Sequence, residues 1–233
     1  MAKVGKGDFI RIEYTGRTAG DNRVFDTTSA DVAKKEGIFD EKARYAPGLV
    51  VVGRGTVIKG LDEALEGMEV GESRKVEISP DMAFGQRDPG LVRVLPESEF
   101  KRRGIEPYPG QLVNIDNATA VVKSVSSGRV MVDFNHLLAG QTLSYEVKVV
   151  EKLTSLEQKI NALLENNELR GKVRVDGNVV EVTFPAEVKK DADFLINKAS
   201  FVANALRLLP EVKSIRVMEE YAREEKKEKI EKD

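Results

Sequence analysis

The sequence predicts an α+β protein built mainly on antiparallel sheets, and three observations support this class. In the first part of the chain, segments such as 9–14 and 74–78 alternate apolar and polar residues, as half-buried strands do. Glycine, proline and asparagine separate these segments at intervals typical of turns. From residue 153 onwards, helix-like and strand-like segments follow in the order α-β-β-α-β, which is typical of an α+β module.

Composition excludes several function classes. Of the 233 residues, 41% are hydrophobic, which is ample for a buried core, and the net charge of −2 argues against a general nucleic-acid binder. The absence of cysteine excludes disulfides, thiol catalysis and cysteine-zinc sites, and it fits a reducing cytoplasm. No apolar run is long enough for a signal peptide or a membrane span. We therefore expect a cytoplasmic protein with neither nucleic-acid nor membrane partners.

Residues 1–85 predict strands and short helices that end at turn residues. The alternating strand 9–14 stops at Thr15-Gly16, and the buried run 49–52 stops at Gly53. Ser29 is a plausible cap for a helix in an otherwise polar insertion, residues 27–47. The predicted elements are, in order, strands at 9–14 and from 24, a helix at 29–36, a strand at 49–52, a helix at 61–65 and a strand at 74–78.

Residues 86–134 form a β-rich block of their own, with predicted strands at 112–115, 118–125 and 129–134. The alternating segment 142–152 then completes the sheet of the first region. Six apolar residues of the block stand among charges and prolines, where they form either its small core or an exposed groove for unfolded chains. They are Leu91, Val92, Val94, Leu95, Phe100 and Ile105.

The C-terminal region begins with a helix from Ser155, which forms a capping box with Gln158. Asp176-Gly177 marks a hairpin, and a second helix at 191–209 stops at Pro210 before a last strand at 212–218. We interpret the charged tail, 219–233, as a solvated or frayed helix. The apolar residues expected on the sheet-facing side of the second helix are Phe194, Leu195, Ala199, Val202, Leu206 and Leu209.

This region also raises the question of a homodimer. Val173, Val175, Val180 and Val182 are expected on both faces of the small sheet, so one set lacks an internal partner. Small sheets of this kind often bury such a face across a two-fold axis, and we expect a homodimer through this module. Alternatively, the first helix, residues 156–164, covers the second face and the protein is a monomer.

The stretch most informative about function is 57–85, VIKGLDEALEGMEVGESRKVEISPDMAFG. It contains no cysteine and no histidine. His136 is the only histidine, and no residues at metal-ligand spacing accompany it, so we expect no metal. A site here would work through apolar walls, backbone groups and shape.

Several short motifs occur in a fixed order between residues 14 and 85. They are Tyr14-Thr15-Gly16, Phe25-Asp26, Gly53, Val57-Ile58-Lys59-Gly60-Leu61, Gly67, Gly71 and Ser79-Pro80-Asp81-Met82-Ala83-Phe84-Gly85. In this order they resemble the FK506-binding family of peptidyl-prolyl isomerases. The later segment 133–143, DFNHLLAGQTL, resembles the SlyD-like branch, in which an insert-in-flap domain interrupts the isomerase. The insertion at 27–47 and the C-terminal module resemble the long archaeal form.

The resemblance implies an antiparallel sheet wrapped on a short helix, divided between residues 1–85 and 135–152. It implies a chaperone insert at 86–134, followed by the C-terminal module and its tail at 153–233. The implied activity is prolyl isomerisation without a cofactor, acting on unfolded or proline-containing polypeptides. The rival function is a holdase or proline-peptide binding protein that does not turn its ligand over.

The same resemblance assigns the site residues. The catalytic residues it implies are Tyr14, Phe25, Asp26, Ile58 and Phe84. The substrate-binding residues are Val57, Leu61, His136, Leu138 and Tyr145. Leu61 stands where many members have Trp, and Phe84 where many have Tyr.

For single residues, plainer interpretations remain open. The apolar residues of the set could be ordinary core, Asp26 a solvated turn residue, and His136 a structural turn residue.

Overall fold

The computed structural model describes residues 3–222. The helical tail was predicted for 219–233, but Glu219 ends the last strand and residues 220–222 are not helical; the rest of the tail, from 223 onwards, lies outside the described residues. The strands within the described part are β1 (Phe9–Thr18), β2 (Val24–Thr27), β3 (Gly48–Val51), β4 (Ser73–Ile78), β5 (Val92–Pro96), β6 (Leu112–Ile115), β7 (Ala118–Ser126), β8 (Arg129–Asp133), β9 (Leu143–Leu153), β10 (Lys172–Asp176), β11 (Val179–Phe184) and β12 (Ser214–Glu219). The helices are α1 (Ala30–Lys35), α2 (Lys59–Leu65), α3 (Glu97–Arg102), α4 (Leu156–Asn166) and α5 (Ala192–Leu208). The α+β class is confirmed, with sheets that are mostly antiparallel.

The first sheet is five-stranded, in the order β2-β1-β9-β4, and β3 also pairs with β1. One edge of the long strand β1 pairs with β3 along its first half and with β2 along its second half. The other edge of β1 pairs with β9. Helix α2 packs on this sheet through Leu61 and Leu65, which are both buried. The contact is close at Gly60, where a Cβ would lie 2.4 Å from Cγ2 of Ile78. Glycine therefore lets the helix approach β4.

The second sheet is four-stranded, in the order β5-β8-β7-β6. Its core contains Phe100, and Leu95 and Ile105 pack against that core, whereas Val92 and Val94 are exposed. The sequence did not predict β5 or α3. The apolar residues of β5 that alternate clearly, Val92 and Val94, are exposed, and they stand among charges and prolines rather than in a regular strand pattern.

The third sheet has the order β10-β11-β12, with β11 and β12 parallel. The expectation that its valines fall on both faces was wrong. Val173 lies opposite Val182 and Val175 opposite Val180, and residues opposite each other in an antiparallel pair share one face. All four pack against the same cluster, which also contains Ile160 of α4. Helix α4 therefore contributes to that side of the sheet rather than covering the other.

The expected buried side of α5 was also wrong in part. The buried residues are Phe194, Phe201, Ala205 and Leu208. Leu195 and Leu206 are 52% and 46% exposed. The buried residues form one stripe along the helix, and Leu195 and Leu206 belong to a neighbouring stripe. Both stripes have helical spacing, so the sequence did not show which of them is buried. Packing selected the stripe that contains the large Phe201 ring.

The C-terminal elements pack on the first sheet. Phe9 and Val51 belong to the same apolar cluster as the buried face of α5. At the edge of this contact, Glu165 accepts hydrogen bonds from Arg11 at 2.8 Å and from Arg44 at 3.2 Å. In residues 3–222, no helix combines the length and apolar character that a membrane span requires.

Candidate active site

An apolar cluster between α2 and the first sheet brings together most of the residues predicted for the site. Within it Leu61, Leu138 and Tyr145 are buried. The partly buried members pack around them at the surface, where a ligand can reach them. These are Tyr14, Phe25, Val57, Ile58 and Phe84.

Tyr14 and Asp26 come from neighbouring strands. The Tyr14 hydroxyl donates a hydrogen bond of 2.7 Å to Oδ2 of Asp26. The Asp26 residue is exposed, whereas the Tyr14 residue is half-buried. Burial raises the pKa of Tyr14 above its usual value, and the hydrogen bond and charge of Asp26 raise it further. Tyr14 is therefore a neutral donor that holds the carboxylate at the pocket rim.

Tyr145 on β9 connects the aromatic residues. Its ring centroid lies 5.7 Å from that of Phe25 in an edge-on arrangement and 5.9 Å from that of Tyr14. Burial, together with the charge of Asp26, raises the pKa of Tyr145 to about 12. Gly16 lies under this group, where a Cβ would be 2.6 Å from Cζ of Phe25. Because Gly16 has no side chain, the Phe25 ring can pack directly over its backbone.

Ile58 caps the N-terminus of α2 with its backbone. Its carbonyl accepts from the N–H groups of Leu61 and Asp62, both at 3.0 Å. Its own N–H makes no hydrogen bond within the part of the chain that the structure describes. This leaves a backbone donor at the edge of the apolar cluster, next to Val57.

Phe84, a partly buried residue packed against the cluster, contacts His136. Their rings stack with centroids 4.1 Å apart and an angle of 11° between the planes. His136 is exposed, and its Nδ1 accepts from the Leu138 N–H at 3.2 Å. His136 therefore packs against Phe84 and also accepts a hydrogen bond within its own turn. Among the described residues, no group of three or more His, Asp or Glu side chains could hold a metal ion.

A cavity of about 280 Å³ extends the site beyond the residues that the sequence indicated. Tyr14, Phe25 and Asp26 line one side of it. The opposite side comes from the polar insertion, including Ile38 and Tyr45. From its sequence, this insertion was predicted only as a polar segment with one short helix, without a role in the site. Three apolar residues in this polar segment, Ile38, Phe39 and Tyr45, could have indicated that it packs near the site. The rings of Phe39 and Tyr45 stack with centroids 5.2 Å apart.

Comparison with known proteins identifies the family. The FKBP26, IF domain family matches residues 93–138, which span β5 to β8. The short-type peptidyl-prolyl cis-trans isomerase of Methanocaldococcus jannaschii is 36% identical over 146 residues, which are 63% of this chain and 92% of that protein. The FKBP-type isomerase SlyD of Helicobacter pylori is 33% identical over 130 residues, 54% of this chain and 69% of that protein.

A third relative, the FKBP-type 16 kDa isomerase of Escherichia coli K12, is 30% identical over 137 residues, which are 57% of this chain and 86% of that protein. These matches cover most of each relative and include both short-type and SlyD isomerases. They confirm the resemblance that the motifs indicated. The chain therefore belongs to the FKBP-type peptidyl-prolyl cis-trans isomerases, within their SlyD-like group.

Proposed function

We propose that this isomerase rotates X-Pro bonds in the pocket around Tyr14 and Asp26. The observation that carries the proposal is the 2.7 Å bond between the two, because it holds a carboxylate at the rim of an apolar cluster. Phe25, Ile58 and Phe84 complete the catalytic set. The substrate-binding residues are Val57, Leu61, His136, Leu138 and Tyr145.

The chemistry requires no proton transfer. The barrier to rotation is about 18–20 kcal/mol and comes from resonance in the C–N bond. Because the resonance form with double-bond character is charge-separated, moving the amide from water into an apolar pocket disfavours it. The Ile58 N–H, which has no hydrogen-bond partner among residues 3–222, holds the substrate backbone. The Asp26 charge interacts with the rotating carbonyl, and its effect is largest in the twisted state.

A titration with a short X-Pro peptide tests this location. We expect the backbone amide resonances of Asp26, Ile58 and Phe84 to shift on binding, and those of β10 to β12 to stay in place. Peptide-induced shifts confined to the C-terminal sheet would place the proline site elsewhere.

We further propose that residues 86–134 act as a chaperone domain. They have their own apolar cluster, separate from that of the first sheet. On the outer face, Val94 lies opposite Met131, and these side chains are 53% and 39% exposed. Leu112 and Tyr108 are also exposed. An apolar face of this kind binds unfolded chains and supplies binding energy remote from the reacting bond.

The double variant Val94→Thr with Met131→Thr tests the chaperone role in the full chain. We expect suppression of aggregation and catalysis of proline-limited refolding to fall, while turnover of a tetrapeptide stays near the wild-type rate. Val150→Thr is the control, because Val150 is 36% exposed but lies on β9. Equal activity of the double variant and the control on unfolded protein would contradict the role. Deleting residues 86–134 is a more drastic version of the same test, and aggregation suppression that survives it would move the chaperone site to the C-terminal module.

For the C-terminal module, residues 153–233, we propose a homodimer through the outer stripe of α5. Leu195, Ile196 and Leu206 are exposed there, and Ile196 is 63% exposed. A groove of about 520 Å³, lined in part by Ala199, Val202 and Val217, continues this surface. The outer face of the small sheet is mainly polar and carries the ion pair of Arg216 with Glu181, so the helix stripe is the better interface. A two-fold axis would pair the stripe with itself.

A further inference from the structure

The polypeptide crosses twice between the five-stranded and four-stranded sheets, and the two crossings lie side by side. The outgoing crossing comprises residues 85–91, and the returning crossing comprises residues 134–140. Backbone hydrogen bonds join them at both ends. Gly140 N–H donates to the Gly85 carbonyl at 2.8 Å, and Phe134 N–H donates to the Leu91 carbonyl at 3.0 Å. Between these bonds, side chains connect the crossings.

The amide of Asn135 makes the central connection. Its Oδ1 accepts from the Asp88 N–H at 2.8 Å, and its Nδ2 donates to the Asp88 carbonyl at 2.9 Å. The amide therefore satisfies both backbone groups of one residue, as a neighbouring strand residue would. Asn135 is 9% exposed, so these bonds are largely shielded from water.

Asp133 fixes the orientation of that amide. Its Oδ1 accepts from the backbone N–H of Asn135 at 2.9 Å and from Nδ2 at 2.8 Å. Asp133 is only 2% exposed, and a carboxylate buried to this degree requires partners because an isolated buried charge is very costly. Its second oxygen, Oδ2, forms an ion pair with Arg87 of the outgoing crossing.

Arg87 also contacts the returning crossing through its aliphatic stem. A Cβ on Gly140 would lie 3.0 Å from Cγ of Arg87. Gly140 has a φ of +73°, which favours glycine as well. We name Arg87, Asp133 and Asn135 the clasp. The clasp adjoins the pocket, because Phe84 precedes the outgoing crossing, and His136, which stacks on it, follows Asn135.

We propose that the clasp residues are positioning residues that hold the four-stranded sheet in one orientation relative to the isomerase pocket. The proposal rests on the proposed role of the insert in binding unfolded chains. A polypeptide bound on the outer face of β5 and β8 then reaches the pocket at a fixed distance, with little further loss of rotational freedom. Without the clasp, two backbone hydrogen bonds remain as the direct connections between the crossings, and the sheet swings about them.

Two variants open the clasp from opposite sides. Arg87→Met keeps the stem beside Gly140 but removes the ion-pair partner of Asp133. Asn135→Ala removes both bonds to Asp88. Arg87→Lys is the conservative variant, because it keeps the charge. Arg102→Met is the matched control, because Arg102 is exposed on α3, outside the clasp.

The chain has no cysteine, so spin labels attach only at introduced ones. Glu63 on α2 and Ser126 at the end of β7 are both exposed, and Glu63→Cys with Ser126→Cys reports the distance between the sheets by electron double resonance. The second readout is kcat/KM on a tetrapeptide and on a protein whose refolding is limited by proline isomerisation. Melting curves show whether each variant is folded. We expect Arg87→Met to be tolerated better than Asn135→Ala, because the Arg87 side chain is 42% exposed and Asn135 is buried.

We expect one narrow distance distribution for the wild type, Arg87→Lys and Arg102→Met, and a broad one for Arg87→Met and Asn135→Ala. In the two variants with broad distributions, we expect kcat/KM on the unfolded protein to fall about tenfold, mainly because KM rises. Their kcat/KM on the tetrapeptide should fall by no more than about twofold. Narrow distributions in all variants, or equal losses on both substrates, would overturn the proposal. A failure of the chaperone role can be told apart from a failure of the clasp. In the first case the double variant Val94→Thr with Met131→Thr would leave kcat/KM on the unfolded protein unchanged, while the spin-label distances would still test the clasp.

Discussion

The Tyr14 hydroxyl donates a 2.7 Å hydrogen bond to Oδ2 of Asp26, which joins a half-buried aromatic wall to an exposed carboxylate. The bond crosses from β1 to β2, so the pairing of these strands sets the position of the carboxylate. In the proposed mechanism this carboxylate is the charge that acts on the substrate amide. Its orientation therefore decides how strongly the twisted amide is stabilised.

Replacing Tyr14 with Phe tests the hydrogen bond while it keeps the ring. A hydrogen bond to a charged group contributes about 1.5–3 kcal/mol, so we expect kcat/KM on a prolyl tetrapeptide to fall roughly tenfold. Tyr108→Phe is the control, since Tyr108 is 61% exposed on the insert. Equal rates for the two variants would show that the Tyr14 hydroxyl does not position Asp26.

Gly16→Ala tests the support under the aromatic wall. The new Cβ would lie 2.6 Å from Cζ of Phe25 and 3.1 Å from Cε1 of Tyr145, so the Phe25 ring must move. We expect a loss of about 1–3 kcal/mol in the free energy of unfolding, together with a clear fall in kcat/KM. Gly20→Ala is the matched control, because a Cβ there meets nothing within 4 Å. Wild-type turnover by Gly16→Ala would contradict a role for the Phe25 position.

Alkaline unfolding tests the burial of Tyr145. Its pKa is 10.0 when unperturbed and about 12 in the folded protein, so the folded state retains a proton that the unfolded state loses. The corresponding stability is complete below pH 10 and is lost as pH rises through 12. Tyr14, whose pKa is also raised, adds to the loss in the same direction. In urea titrations we expect the wild type to lose stability more steeply than Tyr145→Phe across this range, and parallel losses would refute the burial effect.

Light scattering tests the proposed dimer. We expect the full chain at micromolar concentration to have about twice the monomer mass of 25.8 kDa, and Leu195→Glu with Leu206→Glu to reduce it to the monomer mass. Leu112→Glu is the control, because Leu112 is 57% exposed but lies in the insert. A monomeric full chain would end the dimer proposal, and a dimeric double variant would place the interface elsewhere.

Features set by neighbouring residues could be predicted from the sequence. The capping box of Ser155 and Gln158 is present, and the hairpin predicted at Asp176-Gly177 joins β10 and β11, with its two-residue loop at Gly177-Asn178. Both features depend on local hydrogen bonds and backbone angles. Most residues of the pocket could also be predicted from the motifs, since the order of the motifs matches a known family. Their catalytic roles stay predictions until the site is tested.

Features that depend on tertiary packing could not be predicted in this way. The buried stripe of α5 was missed because neighbouring stripes have equivalent spacing and only the partner surface selects one. Asp133 gave no sign of burial, since a carboxylate is usually exposed and its partners, Arg87 and Asn135, become neighbours through the fold. Tyr45 reaches the pocket through the path of a polar loop, which its composition does not specify.

The most direct test of the proposed site is the tetrapeptide kcat/KM of Asp26→Asn and Asp26→Ala, measured beside their melting temperatures. Both variants remove the charge, and Asn keeps an acceptor for the Tyr14 hydroxyl. Because Asp26 is exposed, we expect melting temperatures close to the wild type and a fall in kcat/KM of about tenfold or more in both. Asp31→Asn, at the exposed start of α1, should behave as wild type. Unchanged turnover in both Asp26 variants would contradict the assignment of this pocket as the catalytic site.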